Sequence, residues 1–304
     1  MDNMANSSGD TIPSATPSVR FRELSEKISG GLRVILRNRL ATVGLVLIAL
    51  VVLAALGADL IITHDPYRMD MIDRLSPPSM QHLFGTDVFG RDIFTRVVLG
   101  TRIAMQVAVG AVLLAIVIGV PLGAFSGFWG GRVDTLIMRF IDAVLAFPGR
   151  LLAIALVAAL GANFLTLWLA IGITSIPGYA RVVRGVVLSQ KQKEYVEAAR
   201  MTGESELRIL FFQILPNCIG PLLVLITLDC AHAITTESSL SFLGLGFAPP
   251  SPSWGLMLNE ARGYMELGPH VALIPGLAIS MTILGFNLLG DGLRDVFDPR
   301  QYDK

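Results

Sequence analysis

A few ionisable and polar side chains interrupt the long apolar stretches of this sequence. Asp229, His232 and Thr236 follow one another at i, i+3 and i+7, a spacing that places them on one face of a helix. A charge inside a membrane costs about 2.5 to 3.5 kcal/mol on insertion scales, so such groups need a partner or water. We take these three residues and Arg150 as candidates for lining a polar pathway. The alternative is that Arg150 and Asp229 only form an ion pair between helices.

A densely charged stretch, SQKQKEYVEAARMTGESELRILFFQILP, lies between two apolar ones at residues 189–216. Ser189 and Gln192 fit a capping box, and Gly203 suits the left-handed turn that ends a first short helix. Acidic residues then suit the positive end of a second helix, and Pro216 opens the next long one at a position where proline is tolerated. The stretch is predicted to fold as a helical hairpin.

Motifs that would indicate catalysis are absent from the sequence. No GxxxxGK[ST] loop, nucleophile elbow, HExxH or paired CxxC occurs, so the chain is not expected to be an enzyme or to hydrolyse ATP. The four histidines have no ligand-like spacing, and we predict no metal site: they are His64, His82, His232 and His270.

Composition identifies the class of protein. Hydrophobic residues make up 53% and charged residues only 16% of the 304 residues, and the mean hydropathy is +0.62. These values exceed those of a soluble domain and predict a membrane protein. The formal net charge is zero, so no basic surface indicates binding to nucleic acid.

Six apolar stretches are long enough to span a bilayer, which predicts an all-α polytopic membrane protein. They are residues 40–62, 103–127, 134–160, 163–183, 217–240 and 271–290. The third is the least regular, because Asp142, Pro148 and Arg150 interrupt it. Its first half is therefore a candidate for lying at the membrane interface.

The distribution of lysine and arginine predicts which loops face the cytoplasm. Basic residues are frequent before the first span and in the 189–216 hairpin, so both are placed inside, as is the C-terminus. The resulting divisions are a cytoplasmic tail (1–39, its first part disordered), a first span (40–62), an extracytoplasmic segment (63–102), a five-helix core (103–293) and a cytoplasmic tail (294–304). Four arginines within residues 63–100 do not fit the charge rule.

The order of residues in the hairpin resembles the EAA signature of ABC importer permeases. The matching residues are Glu197, Ala198, Ala199, Gly203, Leu215 and Pro216. Gln213 departs from it, because an apolar residue is usual there. The blocks FGTDVFGRDIFTRVVLGTR (84–102), SLSFLGLGFAPPSPSWGLML (239–258) and FNLLGDGLRDVFDP (286–299) resemble the second permease of dipeptide and oligopeptide importers.

This resemblance implies a type I ABC importer permease fold in a bacterial cytoplasmic membrane. The expected partners are a second homologous permease, two cytoplasmic ATPases and an extracytoplasmic binding protein. ATP and Mg²⁺ would bind to the ATPases, and no cofactor to this chain. The hairpin would be the coupling helix through which the ATPases move the spans, because Ala198 and Ala199 permit close approach and Glu197 offers a carboxylate.

The resemblance implies import of dipeptides, oligopeptides or a similar small peptide such as glutathione. Permeases of the same type serve nickel importers, so a nickel or other metal-chelate cargo is an alternative. A secondary transporter or channel is a remote alternative, because the sequence shows no duplicated halves and such a protein has no use for the hairpin. A purely structural scaffold leaves the pattern from Glu197 to Pro216 unexplained.

Overall fold

The computed structural model describes residues 38–297, so most of the predicted N-terminal tail and residues 298–304 lie outside the described part. In chain order the helices are α1 (Arg39–Leu56), α2 (Ala58–Ile61), α3 (Ile93–Trp129), α4 (Gly131–Leu145), α5 (Gly149–Leu160), α6 (Phe164–Lys191), α7 (Glu194–Met201), α8 (Glu206–Arg208), α9 (Ile219–Phe242), α10 (Trp254–Ala261) and α11 (His270–Phe297). A π-helical turn (Ile209–Ile214) and a 3-10 turn (Leu215–Cys218) join α8 to α9.

Five helical runs within residues 38–297 are long and apolar enough to cross a membrane. They are α1, α3, α6, the continuous run from α8 through α9, and α11. Helices α4 and α5 form a sixth span if the two count as one, and their axes are bent by 81°. Pro148 lies at this break, where it disfavours helical backbone in the residue before it. The six-span, all-α prediction and the irregular third span are therefore confirmed.

Two helices extend beyond the predicted spans. Helix α3 begins at Ile93 rather than at residue 103, because Asp92 caps it by accepting a hydrogen bond from the Thr95 amide at 2.8 Å. Its first turns contain polar residues, so hydropathy alone places the start too late. Helix α11 likewise continues to Phe297, into the stretch that the sequence assigned to the C-terminal tail.

Small residues let the long helices approach each other closely. A side chain at Gly123 of α3 would lie 2.3 Å from the Ala180 carbonyl oxygen of α6. At Gly44 of α1 it would lie 2.6 Å from the Leu289 amide nitrogen of α11. Close backbone contacts at small residues are typical of membrane helices, because lipid offers no hydrophobic drive for association. The outer faces are apolar, and Leu53 of α1 is 63% exposed.

The long loop (residues 62–92) is fixed to α10 by a buried ionic cluster. The Arg91 Nε lies 2.6 Å from Asp87 Oδ2, and the same guanidinium also binds the Glu260 carboxylate of α10. The fully buried Arg96 donates hydrogen bonds to backbone carbonyls on both the loop and the segment before α10. Burial raises the pKa of Glu260, and the two arginines oppose that rise. The long loop is thus a folded part of the protein.

Candidate functional site

The 189–216 hairpin is anchored by one apolar face and leaves the other exposed. Val196 and Ala199 of α7 are buried against Ile209 and Leu210 in a cluster that includes the ends of α3 and α6. Glu197 and Ala198 face outwards. The two alanines of the motif therefore have different roles, since only Ala198 is available to a partner.

The corner of the hairpin has the predicted backbone. Gly203 has a φ of 81°, in the left-handed region that favours glycine. Next to it, the Glu204 amide donates a hydrogen bond to the Ala199 carbonyl at 3.1 Å. The Glu204 carboxylate also accepts a hydrogen bond of 2.6 Å from Gln213. Gln213, which departs from the usual signature, therefore ties the second arm of the hairpin to its corner.

Two local details of the hairpin differ from the prediction. Ser189 lies inside α6 and does not cap a new helix, because α6 continues to Lys191 and the first hairpin helix begins only at Glu194. The second arm is not a separate helix. It runs through the π and 3-10 turns into α9, since Pro216 has no amide hydrogen to continue the α-helical pattern. The side chain of Asn217 donates to the Gln213 carbonyl at 2.7 Å instead.

The exposed side of the hairpin combines apolar and acidic groups. Met201 is 89% exposed, and Leu207 and Phe212 are also exposed large apolar side chains. Of the remaining signature residues, Leu215 is half-buried and packs against the anchoring cluster, whereas Pro216 is exposed. An exposed apolar patch beside Glu197 is the kind of surface that binds another protein.

A polar cluster lies between α6 and α9, within the spans. Ser175 of α6 donates a hydrogen bond of 3.0 Å to Asp229 Oδ1 of α9, and His232 Nδ1 lies 3.9 Å from the same oxygen. The other carboxylate oxygen, Asp229 Oδ2, is buried and has no hydrogen-bond partner among residues 38–297. The Tyr179 hydroxyl of α6 is likewise buried without a hydrogen bond in the described chain and interacts with the Asp229 carboxylate, so this oxygen has capacity for Tyr179 or for a further donor.

The four predicted pathway residues do not all come together. Arg150 lies exposed in the first turn of α5 and makes no ion pair or hydrogen bond within the described chain, so the expected pair with Asp229 is not formed. Thr236 is buried, and its hydroxyl donates to the His232 carbonyl at 2.9 Å. Of the four predicted pathway residues, only Asp229 and His232 have side chains close to each other.

Sequence reasoning missed Glu237, the most deeply buried acid of α9. It is 1% exposed, and it accepts hydrogen bonds from Ser241 at 2.7 Å and from Ser238 at 3.3 Å. The available signal was an acid in an apolar stretch with serines at i+1 and i+4. Because both carboxylate oxygens are satisfied within its own helix, Glu237 fits a structural role better than cargo binding.

Comparison with known proteins places these features in a family. Residues 119–302 match the model of the binding-protein-dependent transport system inner membrane component. Residues 31–78 match the model of the N-terminal TM domain of oligopeptide transport permease C. The first match includes the whole hairpin and the Asp229 cluster, and the second includes α1 and part of the long loop.

Individual relatives resemble the chain over most of its length. It is 45% identical over 266 residues to the glutathione transport system permease protein GsiD of Pectobacterium atrosepticum, which covers 87% of this chain and 88% of that one. It is 44% identical over 264 residues to the dipeptide transport system permease protein DppC of Alkalihalophilus pseudofirmus, with 87% of each chain covered.

A solved structure confirms the architecture. The inward-facing MetNI methionine ABC transporter superposes with a TM-score of 0.54 at 16% identity, covering 67% of this chain and 97% of the matched chain. At that identity the likeness shows the fold alone. The family model over residues 119–302 and the two relatives show that the chain belongs to the family of inner-membrane permeases of binding-protein-dependent ABC importers.

Proposed function

We propose that this chain is the non-catalytic translocation subunit of an importer for dipeptides, oligopeptides or a similar small peptide such as glutathione. It works with a substrate-binding protein and with ATPases, as its family does. In this proposal two ATPase subunits bind ATP and Mg²⁺, a second homologous permease completes the pathway, and the two permeases alternate between outward and inward access.

The observation that carries the proposal is the division of the hairpin into a buried and an exposed face. Val196 and Ala199 fix α7 to the ends of α3 and α6, while Glu197, Ala198 and Met201 remain outside. A force applied to the exposed face therefore reaches the spans through packed side chains, because a close-packed interior transmits strain. The continuous run into α9 adds a covalent route to the Asp229 cluster.

The Asp229 cluster supports a peptide-like cargo. The Asp229 carboxylate, which Tyr179 and Ser175 adjoin, suits the amino group of a peptide, because charge-assisted hydrogen bonds are stronger than neutral ones. Next to it, His232 is exposed and can meet a second polar group of the cargo. The names of the relatives, which are glutathione and dipeptide transport permeases, point to the same class of molecule.

The surface of the protein supports a second permease and a bilayer as its surroundings. A groove of about 870 Å³ runs between α1, α3 and α6, and its lining includes Val52, Met105 and Trp168. Such an apolar face needs lipid or another membrane helix against it. In this proposal the second permease packs against the groove and covers it.

In the proposed orientation both termini and the hairpin face the cytoplasm, and the long loop faces outwards. The arginines of that loop do not fit this orientation, because the charge rule places basic residues in the cytoplasm. Two of them, Arg91 and Arg96, are buried and paired with Asp87 and Glu260, so they do not act as free positive charges at the membrane surface. This pairing reduces the conflict with the charge rule, to which Arg68 and Arg74 still contribute.

Transport by the reconstituted complex tests the proposal. The chain would be purified with its co-encoded partners, placed in proteoliposomes and supplied with binding protein and labelled dipeptide or glutathione. We expect uptake that requires ATP inside the vesicles and ceases with an ATPase that cannot hydrolyse it. Uptake driven by an ion gradient without ATP would contradict the proposal.

A further inference from the structure

Two histidines that are far apart in sequence meet on one carboxylate in the long loop. His64 follows α2, His82 lies in the middle of the loop, and Asp92 is the cap of α3. The ring centroids of His64 and His82 are 4.7 Å apart. One ligand atom from each of the three residues lies within 4.8 Å of the other two.

The distances between the ligand atoms of this trio are close to those in a metal site. Asp92 Oδ1 lies 2.9 Å from His82 Nδ1 and 3.9 Å from His64 Nδ1. A tetrahedral ion with bonds of about 2.0–2.1 Å needs its ligand atoms roughly 3.3 Å apart. The distance from His82 is slightly shorter and that from His64 slightly longer than this value, so the imidazole rings must shift for all three atoms to bind one ion.

The two oxygens of Asp92 have separate tasks. Oδ2 accepts the hydrogen bond from the Thr95 amide and so caps α3, while Oδ1 faces both histidines. A ligand whose second oxygen is held by the protein keeps its orientation, which is the usual outer-shell support of a metal site. The helix cap therefore positions this carboxylate.

The cavity at the trio carries an excess of negative charge. It has a volume of about 320 Å³, and its lining includes Asp65, Asp70 and Asp73 in addition to Asp92, against one basic side chain, Arg68. The His64 side chain is 35% exposed, so an ion has a route to the ligands. The partial positive charge at the N-terminus of α3 repels a cation. The Asp92 carboxylate offsets this charge, and the other aspartates that line the cavity attract the cation.

We propose that His64, His82 and Asp92 bind a divalent transition-metal ion of the zinc type, with water or a guest ligand in the fourth position. Imidazole nitrogen favours such an ion over Mg²⁺ or Ca²⁺, which prefer oxygen. The ion joins the end of α2, the middle of the loop and the start of α3. Its role is to stabilise the long loop at the face where a binding protein would dock.

A hydrogen-bonded cluster without metal is the competing explanation. In that case His82 donates to Asp92, and His64 shares its Nδ1 with the Thr63 hydroxyl at 2.9 Å. Such a cluster explains the position of His82, but it leaves His64 close to Asp92 with no bond between them. The two explanations differ in what chelators and added zinc do to the protein.

Zinc binding by the intact importer tests the proposal. The complex would be purified through a histidine-free affinity tag, stripped with chelator and titrated with Zn²⁺, with bound metal counted by mass spectrometry and thermal unfolding followed in parallel. The variants are His64→Gln and His82→Gln, and the matched control is His270→Gln, whose ring contacts the Thr86 carbonyl outside the trio.

We expect wild type and His270→Gln to hold one more zinc ion per permease chain than the two trio variants do. We also expect zinc to raise the unfolding temperature of these two proteins only, and trio variants to bind at least about tenfold more weakly. Equal binding by wild type and His64→Gln, or equal loss in His270→Gln, would overturn the proposal. If the His82 variant fails to fold, the more exposed His64 variant still decides between the two explanations.

Discussion

Arg200 of α7 and Glu206 of α8 form a two-point ion pair across the corner of the hairpin. Nε and Nη2 of the arginine each lie 3.1 Å from one oxygen of the carboxylate. The pair closes a turn whose corner residue is Gly203 and so links the two arms of the hairpin. A rigid hairpin is what a lever between ATPases and spans requires.

Reversing one charge of this pair should loosen the hairpin. Arg200→Glu replaces attraction by repulsion to Glu206, and because the pair is partly exposed the expected loss is roughly 0.2–1 kcal/mol of local stability. Hydrogen exchange of residues 194–208 should become faster. The double variant Arg200→Glu, Glu206→Arg should restore slow exchange, and its failure to do so would show that the pair does not hold the corner.

A side chain at Gly203 should weaken the corner through backbone strain alone. Nothing lies within 4 Å of where a Cβ would stand, so Gly203→Ala introduces no clash, but its φ of 81° costs about 1 kcal/mol for alanine. Gly185→Ala in α6 is the matched control, because it also meets open space and has helical backbone. Thermal unfolding of both variants should show a lower unfolding temperature than that of wild type only for Gly203→Ala.

Neutralising Asp229 should impair cargo movement while the complex still assembles. Asp229→Asn keeps the shape and can still accept the Ser175 hydrogen bond, but it loses the charge offered by the free oxygen. A charged hydrogen bond contributes about 1.5–3 kcal/mol, so we expect cargo affinity to fall roughly ten- to hundredfold. The measurement is the uptake of labelled cargo by proteoliposomes that contain the Asp229→Asn complex.

The control for that experiment is Asp142→Asn, which removes the same charge from an exposed ion pair with Arg181. We expect its uptake to match that of wild type. Unchanged uptake of several cargoes by Asp229→Asn would remove Asp229 from the pathway and leave it as a structural group.

Removing Arg91 should destabilise the long loop in a pH-dependent way. Arg91→Met leaves Asp87 and Glu260 buried with less positive charge, a loss of about 3–5 kcal/mol for a broken buried pair. Burial already raises the pKa of Glu260, and the substitution raises it further. A carboxyl group with a raised folded-state pKa contributes stability while protonated and loses it as pH rises through that pKa.

The deficit of Arg91→Met should therefore be larger near neutral pH than at acidic pH. Thermal unfolding at several pH values measures it. Arg74→Met serves as the control, because Arg74 is exposed and, among residues 38–297, its recorded contact is a guanidinium 5.0 Å from the ring centroid of Tyr264. A deficit independent of pH would mean that Glu260 does not respond to the loss of Arg91.

The spans and the hairpin were predictable from sequence because they depend on local patterns. Apolar length fixes a span, and a glycine six residues after Glu197 marks the corner. Long-range contacts were not predictable in this way. The two histidines of the trio are separated by a folded loop, and the Arg91–Glu260 pair joins residues 169 positions apart. The absence of a pair between Arg150 and Asp229 was likewise not predictable, because which helix faces meet depends on tertiary packing, here with an 81° bend before α5.

The central claim is that the exposed face of the hairpin couples this permease to its ATPases. Its most direct test is co-purification of the ATPases with wild type, with Glu197→Arg, and with Met80→Arg, which introduces the same side chain at a 98% exposed site on the long loop. We predict that the ATPases are retained by wild type and Met80→Arg and lost from an inserted, stable Glu197→Arg chain. Full retention of the ATPases by Glu197→Arg with undiminished ATP-driven uptake would contradict the account.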